Sequence, residues 1–258
     1  MKKDELLKKI EDLSDLEKDQ EIIDMIEALP AEQLNNEIIG QLVRAYIKVQ
    51  NYEKAIEVLK SIEKDEKNTM LWNYRIGYSY CYLDDYEKAE KYFLKAHELE
   101  PEDQDIKKFL FYIYMELSKQ IKFSEDDLDN QKKALNYALK AKEYITTNDD
   151  KIECYSYLAF LYNKFTDYHT AEDLLKRAIS LGRDDLWIHS ELGYCLGELN
   201  KLEESLEHYL KVIELEPNNI WALSQIAWTY RCLGKYKEAL KYYLKAQELG
   251  KNDEKLNK

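Results

Sequence analysis

The chain has 258 residues, with 38 Lys+Arg against 51 Asp+Glu and a formal net charge of −13. Only 7 Gly and 3 Pro punctuate it, too few for the turns of a β-sandwich or barrel or for a Gly-rich phosphate loop. Apolar residues, at 45%, suffice for a folded core, so composition points to an all-helical protein.

The acidic balance argues against a broad phosphate-binding surface and against adhesion to an anionic membrane. Met1 to Glu5 lead into charged helix-like sequence, not an apolar leader, and the longest apolar run, Phe109 to Met115, is far too short to span a membrane. Cys81, Cys154, Cys195 and Cys232 form no CxxC pair and read as reduced packing residues of a cytoplasmic protein.

In chain order, residues 3–29 read as a helix pair ended by Pro30. Five basic and eleven acidic residues over 1–35 suit a solubilising N-terminal cap, placed at 1–34. From 35 on the pattern repeats, with units at 35–68, 69–102, 103–148, 152–185, 186–219 and 220–253. Each unit has two helices, A then B. A small residue recurs in helix B at Ala55, Ala89, Ala134, Ala171, Ser205 and Ala239, spaced 34, 45, 37, 34 and 34. Thirteen residues earlier stand Leu42, Ile76, Leu158, Leu192 and Ile226. Twelve earlier stand Val43, Gly77, Ala159, Gly193 and Ala227, and nine earlier Tyr46, Tyr80, Tyr162, Leu196 and Tyr230. Four residues after it come Leu59, Phe93, Ala138, Leu175, Tyr209 and Tyr243. The 3–4 spacing builds one apolar stripe on helix A. The Gly/Ala and small positions predict close backbone approach. Tyr52, Tyr86, Tyr168 and Tyr236, just before the B helices of their units, are expected to fill the A–B corner with the hydroxyl toward water.

The third unit carries eleven extra residues. Helix A is expected to run to about Lys122, followed by a loop over Phe123–Asn130 with Ser124 as N-cap. At the other end, Leu249-Gly250-Lys251-Asn252-Asp253 repeats Leu181-Gly182-Arg183-Asp184-Asp185, the phrase that introduces a helix A. The chain there predicts either a truncated array or a short polar cap.

Ile76-Gly77-Tyr78-Ser79-Tyr80 with Ala89, Phe93 and Pro101, and Leu192-Gly193 with Pro217, resemble the tetratricopeptide repeat, in a bacterial-type array. Trp72, Trp187 and Trp221 sit one or two residues ahead of the family's slot. The resemblance implies a right-handed α-solenoid and a protein-binding role. The family's carboxylate clamp does not carry over: its places hold Gly40 and Arg44, then Tyr74, Arg75 and Tyr78, without the paired Asn.

No constellation calls for catalysis. His97, His169, His189 and His208 are never three or four apart, so no metal or cofactor site is expected, and His208 with Glu204 reads as an exposed helix-surface contact. The informative surface is a second face of helix A, formed by the residues 18, 15, 11 and 8 before the small position and about 130° from the packing stripe. In a solenoid it would line the concave side. It reads Leu71, Tyr74, Tyr78, Cys81 in the second unit and Asp105, Lys108, Tyr112, Met115 in the third. The fourth reads Glu153, Ser156, Phe160, Asn163, and the fifth Trp187, Ser190, Tyr194, Gly197. The sixth reads Trp221, Ser224, Trp228, Arg231, and the first unit contributes Arg44. Rings interspersed with Ser and cations suit a groove for a peptide or a partner helix. The expected role is thus a non-catalytic scaffold binding a protein or peptide, with no direct nucleic acid or membrane partner. Two other readings stand beside it: an acidic regulator of a nucleic-acid-binding protein, and a self-assembling homo-oligomer.

Overall fold

The computed structural model describes residues 3–122 and 127–256, with side chains described to residue 250. The described residues form fifteen α-helices, one short 3-10 turn and no strand. The chain divides into two units, Met1–Leu117 and Ser118–Lys258.

The first unit contains α1 (Lys3–Asp15), α2 (Asp19–Glu27), the 3-10 turn Ala31–Gln33, α3 (Asn36–Lys48), α4 (Tyr52–Ser61), the single turn α5 (Glu63–Glu66), α6 (Met70–Tyr82), α7 (Tyr86–Leu99) and most of α8 (Gln104–Gln120). The second contains the end of α8, then α9 (Leu128–Glu143), α10 (Asn148–Lys164), α11 (Tyr168–Ser180), α12 (Leu186–Glu198), α13 (Leu202–Leu215), α14 (Ile220–Cys232) and α15 (Tyr236–Leu256). Neighbours pack in pairs: α3 with α4, α6 with α7, α10 with α11, α12 with α13 and α14 with α15.

One joint builds all five pairs. The residue five before the small position takes a left-handed conformation: Gln50 at φ 61°, Asp84 at 56°, Thr166 at 61°, Asn200 at 57° and Gly234 at 72°. The next backbone N–H then reaches back over the end of helix A, from Asn51 to Tyr46 O, Asp85 to Tyr80 O, Asp167 to Tyr162 O, Lys201 to Leu196 O and Lys235 to Tyr230 O, at 2.9–3.0 Å. This is the six-to-one bond that satisfies orphan carbonyls at a helix C-terminus. The same residue opens helix B, where Asn51, Asp85 and Asp167 cap the first turn with their side chains.

The small positions are shut in: Ala55, Ala89, Ala134, Ala171 and Ser205 are 0% exposed and Ala239 3%. The Gly of helix A meets a ring, not a backbone as expected. A Cβ on Gly77 would stand 2.9 Å from the Phe93 ring, and one on Gly193 2.8 Å from the Tyr209 ring. Trp72 explains its early slot. Its indole N–H donates to Leu59 O at 2.9 Å, tying α6 to the last turn of α4.

Three local expectations change. α8 stops at Gln120, and α9 begins at Leu128 with Asp127, which accepts from Asn130 N at 3.1 Å, as its cap; Ser124 and the rest of 123–126 lie outside the described residues. Gly182 breaks the chain at φ 105°, whereas its counterpart Gly250 stays inside α15, which runs on to Leu256. Tyr86 is buried, its hydroxyl donating to Asp84 at 2.8 Å, while Tyr236 is 69% exposed and fills no corner.

Candidate functional site

In the first unit, Tyr74 and Tyr78 stand half-buried on α6, four residues apart and hence one above the other. The structure adds rings that the sequence reasoning missed. Tyr78 lies 4.6 Å from Tyr82, Tyr82 stacks on Tyr52 at 5.1 Å, and Phe109 of α8 meets Tyr74 at 5.8 Å and Tyr78 at 5.4 Å. Tyr82 takes the place expected of Cys81, which is buried; the 74-78-82 spacing was the available signal. Tyr112 is 45% exposed, its hydroxyl 3.3 Å from that of Tyr86. Cys81, Tyr82, Asp84, Lys108, Phe109 and Tyr112 line a hollow of about 430 Å³.

Burial governs the titration of these groups. It pushes the Tyr74 hydroxyl up to about 12, with the charges of Asp105 and Asp103 adding to it. It also raises Tyr78, helped by the hydrogen bond with Tyr82, and lifts the Cys81 thiol to about 12. The face is therefore neutral and aromatic at ordinary pH, with Lys108 and Asp84 at its rim. Arg44 stands apart from these rings, in a cleft with Asp4, Glu11 and Glu37. Arg75 donates to Gly40 O at 2.9 Å, which ties α6 to α3. Burial and the charge of Arg44 lower its pKa.

In the second unit the expected residues fall on α10, α12 and α14. Phe160 stacks on Tyr157 at 6.2 Å with the Lys164 ammonium 5.6 Å from its ring. Trp187 receives the Arg183 guanidinium at 4.5 Å. Tyr194, 38% exposed, meets Tyr168 edge-on at 6.1 Å and lines a hollow of about 500 Å³ with Asn163, Lys164 and Glu191. The hydrogen bond with Tyr168 raises its pKa first, burial next. Trp221 is 44% exposed and meets Tyr209 edge-on at 5.5 Å. Trp228 is half-buried and Arg231 exposed. The serines of this face bond their own helices: Ser156 to Ile152 O, Ser190 to Leu186 O and Ser224 to Ile220 O, at 2.6–2.8 Å.

His208 does not form the expected exposed contact with Glu204. Its Nδ1 lies 2.9 Å from Nδ1 of His189, whose Nε2 meets Asp184 Oδ1 at 2.6 Å. The carboxylate accepts from Nε2–H of His189, so while His189 is neutral its Nδ1 accepts from Nδ1–H of His208.

Models of the tetratricopeptide repeat match residues 71–103 and 184–252. The chain is a tetratricopeptide repeat protein. Solved structures of tetratricopeptide repeat proteins share its fold. YrrB, described as having an unusual peptide-binding site, is 20% identical over 75% of this chain and 93% of its own, with a TM-score of 0.54. MamA is 24% identical over 73% and 96%, at 0.51. The C-terminal part of a repeat protein from Cytophaga hutchinsonii is 18% identical over 81% and 78%, at 0.54. None of the curated proteins matches the sequence. No helix among the described residues is long and apolar enough to cross a membrane.

Proposed function

We propose that the protein is a non-catalytic interaction module that holds a peptide or partner helix against the aromatic faces of its A-type helices. Tetratricopeptide repeat proteins are generally protein–protein interaction scaffolds, and the peptide site named for YrrB is in keeping with this reading. One observation carries it: Tyr52, Tyr82, Tyr78, Tyr74 and Phe109 form an unbroken run of ring contacts beside the 430 Å³ hollow, and Tyr82 keeps 52% of its surface open. Tyr74 and Phe109 also cover the buried Phe93, whereas the rings of Tyr82 and Tyr112 stay open. Locked tyrosines offer a large contact area and a hydroxyl, and little side-chain freedom remains to be lost on binding. In the second unit Tyr194, Trp221, Trp228 and Arg231 give a sparser face of the same kind, with Arg231 available to an acidic group of the ligand.

The test is affinity capture from extract of the native cell with wild type, Tyr112→Ala and Trp228→Ala in parallel. A partner held by wild type and lost by either variant supports the reading. A partner retained by both variants contradicts it. If that partner is a nucleic-acid-binding protein, the acidic surface is the better account.

A further inference from the structure

The hollow beside Tyr194 in the second unit is lined by acceptors that lack donors. Asn163 is 6% exposed, and its Nδ2 donates to Glu191 Oε2 at 2.9 Å. That bond fixes which way the amide faces, because the reverse would set Oδ1 against the carboxylate. Asn163 Oδ1 is then buried without a hydrogen-bond partner among the described residues. Buried polar groups are otherwise paired, so an orphan acceptor in the wall of a hollow marks an incomplete site. Glu191 is half-buried, takes no other hydrogen bond and forms no ion pair among the described residues. A carboxylate drawn out of water gains most from a cation that also donates hydrogen bonds.

The groups around it do not supply one. The Tyr168 and Tyr194 hydroxyls are hydrogen-bonded to each other. Lys164 Nζ stands over the Phe160 ring, 5.6 Å from its centre. The Tyr194 hydroxyl is raised by its bond with Tyr168, by burial and by the charges of Glu198 and Glu191, in keeping with a negative field over that ring.

The same unit shows what such a place accepts. Arg183 lies between a carboxylate and a ring: its Nε meets Asp185 Oδ2 at 2.8 Å, and its guanidinium stands 4.5 Å from the Trp187 ring centre. Glu191 and the 38% exposed ring of Tyr194 offer the same two halves without the guanidinium. A planar guanidinium pairs with a carboxylate and stacks on an aromatic face better than an ammonium does.

We propose that this hollow receives an arginine side chain of the bound polypeptide, with its guanidinium paired to Glu191 and stacked on Tyr194. Asn163 is a positioning residue that holds the Glu191 carboxylate in place. The proposal rests on the reading of the A-helix faces as a polypeptide site and names the side chain that the second unit takes. An arginine-bearing segment also complements a chain whose net charge is −13.

The probes are N-acetyl-arginine amide, its neutral isostere N-acetyl-citrulline amide and N-acetyl-glutamic acid amide. Each is titrated into the full chain and followed by backbone amide NMR shifts. The arginine compound is also titrated into Glu191→Gln and into the remote, exposed control Glu53→Gln, with thermal midpoints as the check on folding. Saturable binding of the arginine compound with a Kd on the order of millimolar is expected, about fivefold or more tighter than citrulline, with shifts around Glu191 and Tyr194. It should be lost in Glu191→Gln and kept in Glu53→Gln. Absence of saturable arginine binding, equal binding of citrulline, or unchanged affinity in Glu191→Gln overturns the proposal. Preference for the glutamic acid compound also overturns it, because Lys164 is then the recognising group. The comparison of compounds is read on wild type, so it decides even if Glu191→Gln does not fold. None of these outcomes bears on Tyr112 or Trp228, so failure here leaves the polypeptide reading to the capture experiment.

Discussion

The ring of Tyr209 lies over the bare Cα of Gly193, so close that a Cβ there would stand 2.8 Å from two of its carbons. The glycine is the gap that lets α13 press a full aromatic ring against α12. Gly193→Ala forces the ring or the helix to move, at a cost of about 1–3 kcal/mol. Gly250, also helical, has nothing within 4 Å of its would-be Cβ, so Gly250→Ala gains helix propensity, about 0.5–1 kcal/mol. Thermal midpoints should fall for the first and hold or rise for the second. Equal midpoints would refute the packing argument.

The A–B joint makes a less obvious prediction. Thr166 sits at φ 61°, a conformation that is especially unfavourable for a β-branched residue, and its side chain is exposed. The equivalent joint at Gly234 shows that glycine fits the geometry. Thr166→Gly should therefore stabilise the protein by about 1 kcal/mol and Gly234→Thr destabilise it comparably, read from denaturant midpoints. Loss of stability in Thr166→Gly would mean that the threonine makes a contact outweighing its backbone strain.

The histidine pair sets a pH dependence. Burial, then the charges of His189 and Lys176, lower His208 from 6.5 to about 4, with Glu204 opposing them. The unfolded chain takes up its proton near pH 6.5 and the folded chain not until about 4, so across that window the unfolded state binds more protons. Stability must fall as pH falls from 6.5 toward 4 and level off below. His208→Gln keeps an N–H donor for His189 and removes the titration. The pH slope of its thermal midpoint in that window should be shallower than wild type. An identical slope would assign the acid sensitivity to other groups.

Much of the fold was legible because repetition multiplies weak signals. A lone Ala says little, but Ala55, Ala89, Ala134, Ala171, Ser205 and Ala239 in step with Gly77, Gly193 and the Tyr46 series state a helix pair and its period. The joint was not legible, since Gln50, Asp84, Thr166 and Asn200 share a conformation but no chemistry. Among the candidate rings, period alone could not choose between Cys81 and Tyr82, because adjacent residues differ by only 100° around a helix, and it is the packing around α6 that buries Cys81 and leaves Tyr82 open beside Phe109 and Tyr112. His189 and His208 escaped notice because they are 19 residues apart and meet only when α12 packs on α13.

The aromatic A-helix faces form the proposed polypeptide site. Its most direct test is isothermal titration of a peptide selected by display against the whole protein into wild type, Tyr112→Ala, Trp228→Ala and the remote surface variant Lys91→Ala. Truncating a buried aromatic anchor removes about 2 kcal/mol, or roughly thirtyfold in affinity. A loss of that order in Tyr112→Ala or Trp228→Ala, with both variants still folded at the temperature of the titration, and wild-type affinity in Lys91→Ala are the expected results. A selected peptide that binds both aromatic variants as tightly as wild type would contradict the proposed site.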